Sequence, residues 1–343
     1  MNSKKPVAAA LIGAGRIGSS HANIVANRLT NATLAAIADP APGAAARLAD
    51  KLACPLAYTE VDELLANPDI DAVIIASPAR FHTNLAVAAA EAGKAVFCEK
   101  PMALTLADAD RAIAAAQAAG VPLQVGFNRR WDRAFADAHR AIRAGRIGTP
   151  QLLRSLTRDP GPFGGDPARI PPWTIFFETL IHDFDTLLWL NAGARPLEVY
   201  AVADALVRPD CKHMGHLDTA VVTIRFDNGA VAVAEANFSA LYGYDVRGEV
   251  FGSGGMVSMG DVRRSSLALF DAQGVSQDTW RLDSDMFIDG YTAELSAFMD
   301  AVKSGKPAGP DGLDARRALE VALACIASVE QKRPVVLSEI SAG

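Results

Sequence analysis

The sequence predicts an α/β fold in two parts: a doubly wound parallel sheet over residues 1–127, then an α+β domain with a mainly antiparallel open sheet over residues 128–343. Three observations carry this expectation. Short apolar runs alternate with helical segments through the first 127 residues, the grammar of βαβ units with right-handed crossovers. Beyond residue 150, longer runs rich in β-branched residues take over. Alanine marks the same change, with 41 of its 65 occurrences in residues 1–144. At 343 residues the chain can bury two large cores, which excludes scaffolds that depend on disulfides or a structural metal.

In the first part, the apolar runs 7–12, 33–38, 72–76, 95–98 and 123–127 read as buried strands. Between them, 17–28, 43–52, 81–92 and 106–119 have helical spacing and abound in alanine, the best intrinsic helix former. Gly93 and Gly120 stand just past two of these helices, where a left-handed residue ends the last turn. In the second part, 151–157, 197–207, 219–226, 230–239 and 246–251 read as strands, and Asp227-Asn228-Gly229 is a hairpin signal between two of them. A helix is expected over 174–190, closed by Asn191, Gly193 and Pro196. Two more are expected over 290–303 and 311–331, before a short strand at 334–337.

The formal net charge is −6, from 33 basic and 39 acidic residues with no basic block, so the electrostatic footprint for nucleic acid is missing. Cys54, Cys98, Cys211 and Cys325 are widely spaced and form no CxxC pair, which fits a reducing compartment. The run 7–12 is too short for a signal segment despite Lys4 and Lys5, and no stretch approaches the ~18 apolar residues of a membrane span. A soluble, cytoplasmic protein that binds neither nucleic acid nor membrane is expected.

Gly13-Ala14-Gly15-Arg16-Ile17-Gly18 follows the first strand and opens the first helix, and Asp39 ends the second strand. That spacing defines a Rossmann dinucleotide-binding unit. Gly13 permits the tight turn, Gly15 lets main chain approach a pyrophosphate, and Gly18 lets helix and strand pack closely. The phosphates would meet the helix N-terminus at Arg16 and Ile17. Asp39 would accept from the adenosine ribose hydroxyls and repel a 2′-phosphate, which selects NAD over NADP. Arg47, further along, reads as a solvated surface residue.

Glu99-Lys100-Pro101 stands at the end of the fifth strand, the ligand-binding edge of an open parallel sheet. With Gly13–Gly18, Ala76-Ser77-Pro78 and His82, Gly126-Phe127-Asn128-Arg129-Arg130, and His182-Asp183-Phe184-Asp185, the chain resembles the Gfo/Idh/MocA oxidoreductases. The motifs run in order over most of its length. Gly126–Asp132, Arg158-Asp159-Pro160 and Ile181–Asp185 look most like the inositol 2-dehydrogenases of that family. The resemblance implies a Rossmann domain, a carboxy-terminal domain whose open sheet supports homodimers or homotetramers, and a small polyol or sugar as substrate. It implies that Ser77, Pro78, His82, Glu99 and Lys100 contribute to the cofactor site. It also implies that Lys100 and His182 meet at the substrate carbinol, beside an acid four residues before the histidine. That acid is Glu178, where the family pattern has aspartate. Arg129 and Asp159 match, by position, family residues that touch the substrate hydroxyls. Thr179 neighbours Glu178 on the same helix, and Tyr242-Gly243-Tyr244 resembles a tyrosine motif near the pocket, from which Tyr244 or Tyr242 could donate to a hydroxyl.

The residue types suit the chemistry independently. Removing hydride from a secondary carbinol requires a base for the hydroxyl proton, and His182 titrates near neutrality. Glu178 and His182, spaced i, i+4, share one helix face, so the carboxylate can orient the ring and stabilise its protonated form, and Lys100 can stabilise a developing alkoxide. Ile175-Phe176-Phe177 stands where the family often has Gly-Gly, and is expected to reshape the pocket wall. Cys211, His213, His216 and Asp218 have metal-like composition but no second ligand pair, so no metal is expected there. Two further readings stay open: a dehydrogenase of a pyranose or other sugar, and a catalytically silent NAD-binding sensor.

Overall fold

The computed structural model describes residues 5–161, 170–306 and 309–341. In chain order the elements are β1 (Val7–Ile12), α1 (Arg16–Asn27), β2 (Ala32–Ala38), α2 (Ala44–Leu52), β3 (Leu56–Tyr58), α3 (Val61–Leu65), β4 (Ala72–Ile75), α4 (His82–Glu91), β5 (Ala95–Cys98), α5 (Leu106–Ala119) and β6 (Leu123–Val125). Then follow α6 (Arg133–Arg143), β7 (Pro150–Arg158), α7 (Ile181–Leu190), β8 (Pro196–Asp204), β9 (Thr219–Phe226), β10 (Val231–Asn237), β11 (Asp245–Gly252), β12 (Gly255–Met259), β13 (Arg263–Asp271) and β14 (Gly274–Thr279). The chain closes with α8 (Asp283–Met286), α9 (Ile288–Ser304), α10 (Gly312–Gln331), β15 (Val335–Val336) and α11 (Leu337–Ser341). No helix among the described residues is long and apolar enough to cross a membrane.

Two compact units result: Met1–Trp131 with Ile288–Arg316, and Asp132–Phe287 with Arg317–Gly343. In the first, six parallel strands lie in the order β3-β2-β1-β4-β5-β6. Every residue of β1, β4 and β5 is buried, as a sheet covered on both faces requires. The strand order reverses between β1 and β4, so the carboxyl ends of β1, β2, β4 and β5 border one ligand edge.

The division differs from the contiguous 1–127 and 128–343 expected from sequence, because Ile288–Arg316 returns to the first unit. Packing explains the return. Leu295, Phe298 and Met299 on α9 are fully buried, and the Phe298 ring lies 5.7 Å from that of Phe97 on β5. Gln124 Nε2 donates to the Glu294 main-chain carbonyl at 3.0 Å, and Asn31 Nδ2 to that of Ser296 at 2.9 Å. Linear spacing carries no trace of such a return.

The second unit holds a seven-stranded sheet in the order β12-β11-β7-β10-β9-β8-β15. It is antiparallel throughout except for the β7–β10 pair. Alternate residues of β9 and β10 are buried, so one face packs inward and the other is open. Tyr200, Val202, Val221, Val231, Leu152 and Phe251 are exposed on the open face, with Val202 opposite Val221 and Val231 opposite Leu152. The hairpin β13–β14 was not foreseen: its residues are exposed almost throughout, so it lacks the apolar alternation that marks a half-buried strand. The helix expected over 174–190 is two structures, a π-helical segment Ile175–Leu180 running into α7.

Candidate active site

Close backbone contact builds the nucleotide edge of the first unit. Gly13 has φ +103°, and a Cβ there would come 2.7 Å from the Ala76 carbonyl oxygen. A Cβ on Gly18 would come 1.8 Å from the Gly13 carbonyl oxygen, so only glycine lets α1 start directly behind β1. Gly15 is the opposite case. It precedes Arg16 and Ile17 at the exposed start of α1, and a Cβ there would meet nothing within 4 Å. No side chain caps this helix, which leaves its first N–H groups for an anion.

Asp39 follows β2 and is pinned from both sides. The Ala14 N–H donates to Oδ2 at 2.7 Å and the Ala41 N–H to Oδ1 at 2.8 Å. Each carboxylate oxygen keeps capacity to accept a hydroxyl. Ser77, after β4, has a buried Oγ with no partner. The open cradle at Gly15, the pinned Asp39 and the orphaned Ser77 Oγ together fit a dinucleotide: pyrophosphate on α1, ribose on Asp39, and a polar group near Ser77. Arg47 is turned to its own loop, donating to the Pro42 carbonyl at 3.3 Å.

His82 and Glu99 face main chain and interior. The His82 ring nitrogens lie 2.8 Å from the Pro101 carbonyl oxygen and 2.7 Å from that of Ser77, so the ring ties together the loops after β4 and β5. Glu99 is buried, its Oε1 2.6 Å from His21 Nε2, and its Oε2 accepts the Lys100 N–H at 3.2 Å. Burial pushes the Glu99 carboxyl up, but the His21 hydrogen bond and charge, with Lys100 and His82, outweigh it and hold the group below the usual range. Gly126 makes room for this carboxylate, since a Cβ there would come 3.1 Å from it. Lys100 is half-buried at the same strand end, and Arg129 is buried in the 3₁₀ turn Asn128–Trp131.

In the second unit, Glu178 and Thr179 lie on the π-helical segment and His182 in the first turn of α7. The expectation that Glu178 and His182 share one α-helical face thus meets a change of helix type between them. π-helical turns are rare and concentrate at functional sites. Ile175 and Phe176 are fully buried, so of the three bulky residues only half-buried Phe177 is available to a pocket wall. Asp183 is fully buried and accepts from Ser155 Oγ and from Thr157 Oγ1 at 2.7 Å, which fixes the start of α7 on β7. Thr186 Oγ1 donates to the His182 carbonyl at 2.7 Å.

Asp159 is half-buried and accepts from the Gly161 N–H. Tyr244 is half-buried, whereas the Tyr242 hydroxyl donates to buried Asp245 at 2.9 Å. In the 211–218 cluster, Asp218 accepts the N–H groups of Leu206, Val207 and Arg208, and His216 Nε2 lies 2.7 Å from the Ile170 carbonyl oxygen. Sequence reasoning missed His21 and Glu294, which signal nothing alone. It also left Asp183 without a role, although Ser155 and Thr157, two apart on an apolar strand, hinted at a polar partner on one face.

Residues 7–127 match the model of the oxidoreductase family with an NAD-binding Rossmann fold, and residues 135–258 match the GFO/IDH/MocA carboxy-terminal domain. The chain is a member of the GFO/IDH/MocA oxidoreductase family, and its first unit is an NAD-binding domain. Among particular relatives, it is 40% identical to myo-inositol 2-dehydrogenase of Thermotoga maritima over 96% of this chain and 98% of that one. It is 36% identical to scyllo-inositol 2-dehydrogenase (NAD(+)) of Bacillus subtilis over 96% of each. The fold also matches that of scyllo-inositol dehydrogenase from Lactobacillus casei, solved with NAD(H) and scyllo-inositol, with a TM-score of 0.92 and 26% identity over 97% of this chain and all of that one.

Two outcomes are expected. Gly18→Ala should lower stability by at least ~2 kcal/mol, since the new methyl meets backbone that cannot yield, and should abolish NAD binding; thermal unfolding with and without NAD measures both. Asp39→Ala should raise the NADP-to-NAD ratio of kcat/KM roughly 10- to 100-fold by removing like-charge repulsion; an unchanged ratio refutes the ribose contact.

Proposed function

We propose that this protein is an NAD-dependent inositol dehydrogenase, oxidising one secondary hydroxyl of a cyclic polyol to a ketone. The observation that carries this reading is full-length likeness to two enzymes named as inositol 2-dehydrogenases, at 40% and 36% identity. The proposed holders of NAD are the Gly13–Gly18 turn, Asp39 and Ser77, with Pro78 beside them. His82 and Glu99 shape the loops from behind. Bound there, the nicotinamide supplies the hydride acceptor.

The chain's own residues govern the proton and the charge. His182 takes the hydroxyl proton as the carbinol is oxidised, and Lys100 hydrogen-bonds the oxygen as negative charge develops on it. Glu178 orients the His182 ring and stabilises its protonated form. Asp183, held by Ser155 and Thr157, fixes the turn that carries His182. Arg129, Asp159, Thr179 and Tyr244 are assigned to the remaining hydroxyls. The extra methylene of Glu178, relative to aspartate, and the partly accessible Phe177 set which polyol fits.

Purified protein offered a panel of inositols and aldoses with NAD or NADP should reduce NAD with at least one inositol. Turnover only with an aldose would replace the substrate by a pyranose, and tight NAD binding without turnover would make the protein a sensor. Lys100→Ala and His182→Ala should each lower kcat by roughly 10²- to 10⁴-fold while NAD affinity, read by fluorescence titration, stays. Near-normal kcat in either variant removes that residue from the chemistry.

The open face of the second unit's sheet is proposed as a homo-oligomer interface, consistent with its exposed Tyr200, Val202, Val221 and Phe251. Sedimentation should find a dimer or tetramer, and Val221→Arg should dissociate it; a monomeric wild-type protein would refute the assignment.

A further inference from the structure

His21, Glu99 and Glu294 converge inside the first unit, from α1, the end of β5 and α9. One nitrogen or oxygen atom from each lies within 4.8 Å of the others. Their exposures are 1%, 8% and 0%. His21 Nε2 and Glu99 Oε1 form a 2.6 Å hydrogen bond. Three buried atoms have no partner: His21 Nδ1 and both carboxyl oxygens of Glu294. Each such orphan is destabilising, and more so if charged. The helix is held in place meanwhile, since Gln124 grips the Glu294 main chain, and the His21 ring meets Phe97 and Tyr291 edge-on at 5.7 and 5.5 Å.

A cation or a proton could satisfy these atoms. The hydrogen bond already made between two of the three groups favours the proton. Two ligand atoms each ~2.1 Å from a tetrahedral metal stand roughly 3.4 Å apart, whereas His21 and Glu99 are already in hydrogen-bond contact at 2.6 Å. A proton fits, because two carboxylates in one buried site cannot both ionise. Burial, and then the Glu99 charge, push the Glu294 carboxyl well above the usual range, while Glu99 is held below it.

We propose that Glu294 holds a proton, so that Glu294, His21 and Glu99 form a buried triad with Glu99 as its one anion, fixed behind Lys100. The His21 Nε2–H donates to Glu99 Oε1, and Glu99 Oε2 accepts the Lys100 main-chain N–H. One proton sits on Glu294, one on Nε2, and the triad carries a single negative charge. The groups facing it are His21 from α1, Glu99 and Lys100 from the end of β5, His82 from α4, and Tyr291 from α9 beside Glu294. His21 and Glu294 are positioning residues that act through Glu99. Their effect on turnover rests on the role proposed for Lys100; the proton itself does not.

Infrared spectroscopy of the intact protein near neutral pH tests the proton directly. A protonated-carboxyl C=O stretch should be present, should vanish in Glu294→Gln and should persist in Lys100→Ala. Stability supplies an independent readout. Because folding raises the Glu294 pKa, the Glu294 contribution to stability should be fully present below the ordinary carboxyl range and be lost as pH rises towards the folded value; Glu294→Gln should lack that component of the pH slope. Absence of the band, its persistence in Glu294→Gln, an unchanged pH slope, or a stoichiometric metal lost with Glu294 would each overturn the proposal. Normal turnover in Lys100→Ala with the band intact would instead refute the role of Lys100 alone.

Discussion

The first unit depends on one close approach, Gly18 against the Gly13 carbonyl, with no room for a Cβ between them. That contact lets α1 begin as soon as β1 ends, so its first turn, which no side chain caps, opens onto the carboxyl edge of the sheet. It also sets what lies one turn further along. His21, three residues after Gly18, falls on the same side of the helix and reaches Glu99 at the end of β5. One steric constraint thus aligns an anion site at the helix start and a buried hydrogen bond behind Lys100.

The second unit uses a buried carboxylate in place of a close backbone contact. Asp183 is fully buried, and Ser155 and Thr157 both donate to its carboxyl group. Losing one hydroxyl would leave an under-satisfied anion inside the core, which gives the start of α7 little freedom to shift. The π-helical segment just before α7 changes the angular spacing of the side chains around Glu178. Substituting glutamate for aspartate at that position therefore alters reach within a turn that is not α-helical.

Much of the fold could be read from periodicity. The β1–α1–β2 order, the Gly13–Gly18 turn and the Asp39 strand end follow from the alternation of buried strands and helices, which local sequence encodes. The Asp227–Gly229 turn between β9 and β10 is equally local. What escaped detection was non-local or without pattern. The hairpin β13–β14 is exposed on both faces and shows no alternation. The return of α9 rests on Phe298 meeting Phe97, about 200 positions earlier in the chain.

The same line divides the site. The sequence by itself determined the glycine turn after β1 and the acid that closes β2, and singled out Lys100 and His182 as candidates for the chemistry, because each sits in a short motif whose spacing has a physical meaning. Only the tertiary structure decided that His82 spends both ring nitrogens on main chain, that Glu99 faces inward, and that Ile175 and Phe176 belong to the core. It alone brought His21 and Glu294 to Glu99. Burial and hydrogen-bond pairing arise from segments distant in sequence, and these decide whether a titratable side chain meets a ligand or supports one that does.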